Sequence, residues 1–282
     1  MVRIIPRLDI KGPNLVKGIH LEGLRVLGNP SLFARHYYEN GADELLFQDV
    51  VASLYQRNSL NHIITKTAKE IFIPLTVGGG LRTINDIKSV LRAGADKVSI
   101  NTAAINNPDF IKKASRNFGA STIVVALEVI QQEDGSYLCF TDNGREYTGV
   151  EALSWAQQAE ELGAGELIVT SIDKDGTKKG MDVTLINYIS SNVTIPVIAH
   201  GGVGSPSDIE DAVQHNADAV SIASVLHYNF LQSNKEQNFG TTEGNNEFLN
   251  NNLKQMKQFG TTLPAIKTYL SEKSIPCRSY HE

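Results

Sequence analysis

Short apolar runs alternate along the chain with stretches in which apolar residues recur every three to four positions. Apolar runs of this length are typical of buried strands, and the longer periodic stretches are typical of helices that pack on one face. Eight runs predict strands at residues 4–9, 44–49, 73–77, 97–100, 122–128, 166–171, 196–199 and 219–222. Periodic stretches predict helices at 85–92, 108–117, 149–162 and 206–214, and Asn29-Pro30 predicts the start of another.

Eight strands that alternate with helices indicate parallel strands, and eight is the number that closes a barrel. We therefore predict an α/β fold, a (β/α)8 TIM barrel that forms one domain over residues 1–282. An open, doubly wound sheet is the alternative, which the regularity of the units disfavours. Residues 229–262 are rich in Asn, Gln, Gly and Thr, and they predict a polar insertion before a last helix at 264–273. We expect a lid or a loosely ordered surface loop there.

An internal repeat predicts that the barrel has two halves. The segment PLTVGGGLRTINDIKS, which begins at Pro74, returns 122 residues later as PVIAHGGVGSPSDIED, which begins at Pro196. A repeat of this length is too long for a solenoid and indicates two half-barrels of four strands each. Equivalent sites should then lie on opposite sides of one mouth, the end of the barrel where the strands have their carboxyl ends.

Composition narrows the class of partner. The net charge of -5 argues against nucleic acid, because binding to a phosphate backbone needs a basic surface. We expect no membrane association, since the sequence has neither a signal peptide nor an apolar run of about 18 residues. Cys139 and Cys277 lack metal-ligand spacing, so we expect two reduced thiols in a cytoplasmic protein that uses no metal and no cofactor.

Small residues follow four of the predicted strands. They are Gly80, Asn101 and Thr102 in the first half and Gly202, Ala223 and Ser224 in the second. Small residues at strand ends let backbone N–H groups approach an anion, and the loops after strands 7 and 8 are the usual phosphate site of such barrels. Because the repeat relates the two sets, we expect two phosphate cups, although these glycines could also serve only to turn the chain.

Carboxylates end two predicted strands that face each other across the barrel. Asp9 ends the first strand and Glu128 the fifth, so the pair can divide the general acid and general base roles at the mouth. Asp175 follows the sixth strand as a third candidate, and Lys17 can pair with a phosphate or a carboxylate. For each acidic residue, a capping or loop role is the alternative.

Charged residues also begin several strands. Side chains alternate along a strand, so Arg3 shares one face with Asp9 and lies inside the barrel near its bottom if Asp9 points into the mouth. Glu44, Lys97 and Glu166 begin the second, fourth and sixth strands. The four residues predict a ring of charges at the N-terminal end of the lumen, either a salt-bridge plug or a gate for a small molecule.

Several motifs together resemble the histidine-biosynthesis barrels, specifically the cyclase subunit of imidazole glycerol phosphate synthase. These are LDIKG, GADELLFQDVVAS, TVGGG, GADKVSINTAA, GAGELIVTSIDKDGT, VIAHGGVGS and ASVLHY, over roughly residues 1–228. The resemblance implies a heterodimer with a glutaminase on the N-terminal face. Ammonia from that partner would cross the lumen and attack a bis-phosphorylated ribulosyl-formimino aminoimidazole carboxamide ribotide, which gives imidazole glycerol phosphate.

The resemblance also implies roles for individual residues. Asp9 and Glu128 would be the catalytic carboxylates, assisted by Asp175. The ammonia gate would be Arg3, Glu44, Lys97 and Glu166. We assign substrate or phosphate binding to Lys17, Gly80, Asn101, Thr102, Thr170, Gly176, Gly202, Ala223 and Ser224.

Four positions depart from the family, which usually has Asp at Glu128, Cys at Arg7, Leu at Gln48 and Ser at His200. We expect Arg7 to face the lumen and to hydrogen-bond Glu128 or Gln48, which would hold both mouth carboxylates as anions and weaken a proton-donor role. These departures keep open a paralogous barrel that passes ammonia for amidination of a surface-polysaccharide sugar. A ketoamine-forming sugar isomerase of the same fold is less favoured, because it would need Asp at both strand ends and has no use for the ring.

Overall fold

Each of the eight predicted apolar runs forms a strand in the computed structural model, which describes residues 1–52, 60–234, 239 and 260–278. The barrel strands are β1 (Arg3–Lys11), β4 (Leu45–Asp49), β5 (Leu75–Gly78), β6 (Lys97–Ile100), β7 (Ile123–Gln131), β10 (Glu166–Ser171), β11 (Val197–His200) and β12 (Ala219–Ile222). Each pairs in parallel with the next, and β12 pairs with β1 through Arg3 and Ala219. The predicted (β/α)8 barrel is confirmed.

Helices surround the barrel on the outside. They are α1 (Pro30–Glu39), α2 (Asn61–Ala68), α3 (Ile84–Ala93), α4 (Thr102–Asn106), α5 (Asp109–Phe118), α6 (Ala152–Glu161), α7 (Val183–Ser190), α8 (Pro206–Gln214), α9 (Ser224–Ser233) and α10 (Leu263–Glu272). Asn29 caps α1 as predicted. Thr83 and Asp86 form a capping box at α3, and Ser205 and Asp208 form the same box at α8 in the second half. The repeat therefore extends to the helix starts.

Two antiparallel hairpins rise from the C-terminal ends of β1 and β7. The first consists of β2 (Asn14–Ile19) and β3 (Glu22–Gly28), and the second of β8 (Tyr137–Thr141) and β9 (Glu146–Glu151). The prediction of a helix from residue 149 was wrong, because residues 149–151 belong to β9. Helix α6 begins only at Ala152, where the Glu151 carboxylate accepts hydrogen bonds from the N–H groups of Leu153 and Ser154.

Side-chain alternation separates the lumen from the main core. On β1, Ile4 and Leu8 point outward into the core between strands and helices, whereas Ile5 points into the lumen. A separate apolar layer crosses the lumen and consists of Ile5, Leu46, Val124, Ile168, Ile198 and Ala219. This layer divides the charged groups at the bottom of the lumen from those at the mouth.

The end of the chain returns to the bottom of the barrel. Val2 forms a parallel bridge with Cys277, and its N–H donates to the carbonyl oxygen of Pro276 at 2.8 Å. Arg278 Nη2 donates to the carbonyl oxygen of Ala42 at 3.0 Å. The last residues described therefore brace the first strand, and α10, which precedes them, confirms the predicted last helix to within one residue at each end.

Residues 229–233, the first of the predicted insertion, lie in α9, which continues through Ser233. Apart from 234, 239 and 260–262, the remainder of the predicted insertion lies outside the described residues. Among the helices described, none combines the length and the apolar character that a membrane crossing requires.

Candidate active site

Four charged side chains form a closed ring at the bottom of the lumen, and we call them the charge ring. Arg3 Nη1 lies 2.7 Å from Glu44 Oε1 and 2.8 Å from Glu166 Oε1. Lys97 Nζ lies 3.3 Å from Glu44 Oε2 and 2.9 Å from Glu166 Oε2. Each cation therefore contacts both carboxylates, and the predicted arrangement is present. Its function as an ammonia gate stays a prediction.

At the mouth, above the apolar layer, a second group of ionisable side chains is almost completely buried. Arg7 Nε lies 2.8 Å from Asp9 Oδ1, and Lys17 Nζ lies 3.4 Å from Asp9 Oδ2. Lys17 Nζ also donates to both carboxylate oxygens of Asp175 at 2.9 Å. His200 Nε2 lies 3.3 Å from Asp175 Oδ1. All five side chains are at most 4% exposed, so solvent screens these contacts weakly.

The expectation that Arg7 would hydrogen-bond Glu128 or Gln48 was wrong. Arg7 binds Asp9, which lies two residues further along the same face of β1 and is closer than the opposite side of the barrel. The Nη1 atom of Arg7 donates to Thr170 Oγ1 at 3.4 Å, so the guanidinium extends across the lumen from β1 to β10. Thr170, which was predicted to bind substrate, therefore contacts Arg7.

Lys17 reaches the mouth because the first hairpin folds back along β1. Val16 is the register partner of Asp9, and the next residue, Lys17, points its ammonium group between Asp9 and Asp175. Asp175 also accepts a hydrogen bond from the N–H of Leu21 at 3.3 Å. The carboxylate of Asp175 thus ties the hairpin to the turn after β10.

Neighbouring charges set the ionisation of these groups. Burial by itself raises the pKa of Asp9, but the cations of Arg7 and Lys17 outweigh burial and lower its pKa. Burial opposes ionisation of Asp175 too, but Lys17 and His200 lower the pKa of Asp175 strongly. Burial and the nearby Arg7 lower the pKa of His200. Asp9 and Asp175 are therefore carboxylate anions at neutral pH.

Glu128 lies in a different environment, at the point of β7 where pairing with β8 begins. Its Oε2 atom accepts a hydrogen bond from the N–H of Gly144 at 2.9 Å, and its side chain lines a cleft at the mouth. Burial raises the pKa of Glu128 to about 7, although Arg7 and the Gly144 N–H act in the opposite direction. Near neutral pH this carboxyl group can therefore both release and accept a proton.

The cleft beside Glu128, which we call the first cleft, brings together one predicted phosphate cup. Gly80, Asn101 and Thr102 all line it. Gly80 has φ +69°, a conformation that favours glycine, and Thr102 Oγ1 accepts a hydrogen bond from the N–H of Asp142 at 3.1 Å. Gln48 also lines the first cleft, so a departure from the family pattern lies at the site.

A second cleft opens on the opposite half of the mouth. Lys17, Gly176 and Ser224 line it, whereas Gly202 and Ala223, which were predicted to form a cup with Gly176 and Ser224, are buried and do not. The carbonyl oxygen of Gly202 instead accepts from the N–H of Gly180 at 3.0 Å.

Several residues that line the second cleft, among them Arg25, Lys178 and Tyr228, were not among the sequence candidates. Arg25 comes from the first hairpin, and Lys178 lies 5.0 Å above the ring of Tyr228. The basic residues in the glycine-containing segments KGIHLEGLR and KDGTKKG were the available signal. Within the described ranges, no group of three or more His, Cys, Asp or Glu residues could hold a metal ion.

Fold and site together define a (β/α)8-barrel enzyme with ionisable carboxyl groups at the C-terminal ends of its strands. A family model described as "Histidine biosynthesis protein" matches residues 3–232, and the chain belongs to this family. The imidazole glycerol phosphate synthase subunit HisF of Legionella pneumophila is 55% identical over 203 residues, which cover 72% of this chain and 96% of that protein.

Two further relatives have the same name and lower identity to this chain. The imidazole glycerol phosphate synthase subunit HisF of Alkaliphilus metalliredigens is 47% identical over 228 residues, and the subunit of the same name from Methanocaldococcus jannaschii is 47% identical over 246 residues. In both comparisons 80% of this chain and 90% of the relative are covered.

Proposed function

We propose that this chain is the cyclase subunit of imidazole glycerol phosphate synthase. It uses ammonia to convert a bis-phosphorylated ribulosyl-formimino aminoimidazole carboxamide ribotide into imidazole glycerol phosphate. The observation that carries the proposal is the mouth itself, where two clefts lie on opposite sides of the strand ends that carry Asp9 and Glu128. A substrate with a phosphate at each end can occupy both clefts and present its central part to the carboxyl groups.

The direct test is cyclisation of that substrate by the purified chain with ammonium salts at mildly alkaline pH. We expect imidazole glycerol phosphate as the product in the absence of any partner. Failure to form the product with ammonia, by protein that melts cooperatively, would contradict the proposal. The sugar-amidination alternative would then be tested by the same ammonia supply with an acceptor sugar.

Phosphate binding in both clefts is part of this proposal. Thr102 lines the first cleft and Ser224 lines the second, each close to a turn that contains glycine. In crystals grown with phosphate or sulfate, we expect anions beside Gly80 and Thr102 in the first cleft and beside Gly176 and Ser224 in the second. Water alone at both places would contradict the assignment of the cups.

The glutaminase partner would dock on the N-terminal face, where the charge ring ends the lumen. We expect Lys97→Ala to uncouple glutamine hydrolysis from cyclisation in the complex, because the ring loses a cation that contacts both Glu44 and Glu166. The control is Lys112→Ala on the exposed face of α5. Equal coupling ratios in the two variants would reduce the ring to a structural element. A cytoplasmic location, which the two unpaired thiols suggest, belongs to the same proposal.

A further inference from the structure

The two carboxyl groups at the mouth differ in how many of their oxygens are already bound. Both oxygens of Asp9 have a cationic partner, with Arg7 at Oδ1 and Lys17 at Oδ2, and the residue is 2% exposed. Glu128 has one oxygen bound to the N–H of Gly144 and lines the first cleft. Asp9 is therefore engaged within the protein, whereas Glu128 faces the space that a substrate would fill.

Arg7 determines this difference. It is 3% exposed, and its guanidinium is held at one edge by Asp9 and at another by Thr170. Of its three nitrogens, Nη2 is buried without a partner, so release of Asp9 would leave the guanidinium still less satisfied. An unpaired buried cation is costly, which opposes any movement that frees Asp9 to exchange protons.

We propose that Arg7 withdraws Asp9 from proton transfer, so that Glu128 alone exchanges protons with the substrate, first as donor and then as acceptor. The inference rests on the proposed function for the identity of the substrate. Ammonia attacks a carbonyl carbon, a C–N bond forms and the C=O π bond breaks, and the proton of Glu128 passes to the carbonyl oxygen. The Glu128 carboxylate then removes a proton from the new ammonium nitrogen, which restores its starting state. Arg7 and Asp9 are positioning residues in this scheme.

The groups that face Glu128 are consistent with one carboxyl group in both roles. Arg7 favours its anion, whereas Asp9 and Asp142, in the turn between β8 and β9, favour its protonated form. Asp9 faces Arg7, Lys17 and Asp175, of which the two cations favour its anion.

A matched pair of amide variants tests whether Glu128, and not Asp9, exchanges protons with the substrate. Glu128→Gln should lower kcat of the ammonia-dependent reaction by about 100-fold or more and remove the ionisation near neutral pH from the kcat profile. Asp9→Asn should lower kcat by less than about tenfold and keep that ionisation. Equal losses in the two variants, or an Asp9→Asn profile without the neutral ionisation, would overturn the proposal.

The Asp9→Asn variant leaves Arg7 buried without its partner, so a double variant is needed. Arg7→Met/Asp9→Asn removes both ends of the ion pair, and its kcat profile should keep the ionisation near neutral pH. A folded double variant that has lost this ionisation would contradict the assignment to Glu128. Thermal melting of each variant separates loss of fold from loss of chemistry.

A spectroscopic titration remains informative if no variant folds, and it does not depend on the substrate. In the wild-type chain with carbon-13 in its carboxyl groups, NMR should show Glu128 titrating near neutral pH and Asp9 titrating below the ordinary range of an aspartate. In Arg7→Met the Asp9 titration should move to higher pH. A neutral titration of Asp9 in the wild type would overturn the proposal. An inactive wild type with the expected titrations would contradict the proposed function but leave the charge assignment standing.

Discussion

The two halves of the barrel have the same local architecture around their mouth carboxyl groups and give them opposite properties. Each carboxyl group lies where a barrel strand begins to pair with an antiparallel hairpin, and Val16 pairs with Asp9 as Phe140 pairs with Glu128. The residue after each partner differs, with Lys17 in the first half and Thr141 in the second.

The residue two positions earlier on each strand also differs. Arg7 precedes Asp9, whereas Ala126 precedes Glu128. The first half therefore places two cations against its carboxylate, whereas the corresponding positions of the second half hold an alanine and a threonine. The comparison teaches that the backbone fixes where a carboxyl group lies, but that two side chains on neighbouring positions decide its charge.

The largest expected effect on stability comes from removal of Lys17, the cation that Asp9 and Asp175 share. Lys17→Met leaves Asp9 and Asp175 facing each other without the cation between them, and loss of one buried partner costs about 3–5 kcal/mol. We expect that loss in the free energy of unfolding measured with urea. Arg35→Met, which removes an exposed ion pair on α1, is the control and should cost less than about 0.5 kcal/mol. Similar losses in the two variants would mean that the buried charges contribute no more than surface charges.

The pH dependence of the free energy of unfolding should sharpen the comparison. Glu128 and Asp9 contribute to it with opposite sign, because the pKa of Glu128 is raised and that of Asp9 is lowered. The folded-state pKa of Glu128 is raised, so its contribution is complete below pH 4.5 and is lost as pH rises to about 7. The pKa of Asp9 is lowered, so its contribution is present at neutral pH and is lost under acidic conditions. Glu128→Gln should therefore flatten the decline in the free energy of unfolding between pH 5 and 8, by about 3 kcal/mol. A parallel decline in variant and wild type would contradict the raised pKa.

Substitution of Gly144, in the second hairpin, should have the smallest effect on the free energy of unfolding. Gly144, with φ +77°, donates its N–H to Glu128, and an added Cβ would come within 2.9 Å of Ile172 Cδ1. Gly135 has φ +86° with no atom near such a Cβ, so Gly135→Ala measures the cost of the backbone conformation alone. We expect Gly144→Ala to lower the free energy of unfolding by about 1 kcal/mol more than the control. Equal costs would show that the turn yields without disturbing Glu128.

The sequence predicted the barrel well because a parallel, fully buried strand is a short apolar run, and all eight runs are separated by helical periodicity. It did not predict the two hairpins. Residues 146–151 pair with β8 through contacts to a neighbouring strand, which no periodicity within that segment reveals. The boundary of α6 was missed for the same reason, since Glu151 ends a strand and caps a helix at once.

The sequence predicted which residues lie at the candidate site better than it predicted which of them contact each other. Strand ends placed Asp9 and Glu128 at the mouth, and strand starts placed the charge ring at the bottom. The acceptor that Arg7 binds depends on distances across the lumen. Asp175, which binds Lys17, lies 158 residues from it in the sequence. Such pairings follow from the closed barrel, so residue spacing alone could not supply them.

The closure of the barrel has a consequence for how this chain folds during its synthesis. The first strand forms its ladder on one side with β12, whose residues leave the ribosome more than 200 positions later, and its start is braced by Pro276 and Cys277 at the end of the described chain. Contacts so distant in sequence are slow to form, because the entropy of a long loop must be lost before they stabilise anything. Until β12 has been synthesised, the edge of β1 at Arg3–Pro6 is unpaired and open to association with other chains.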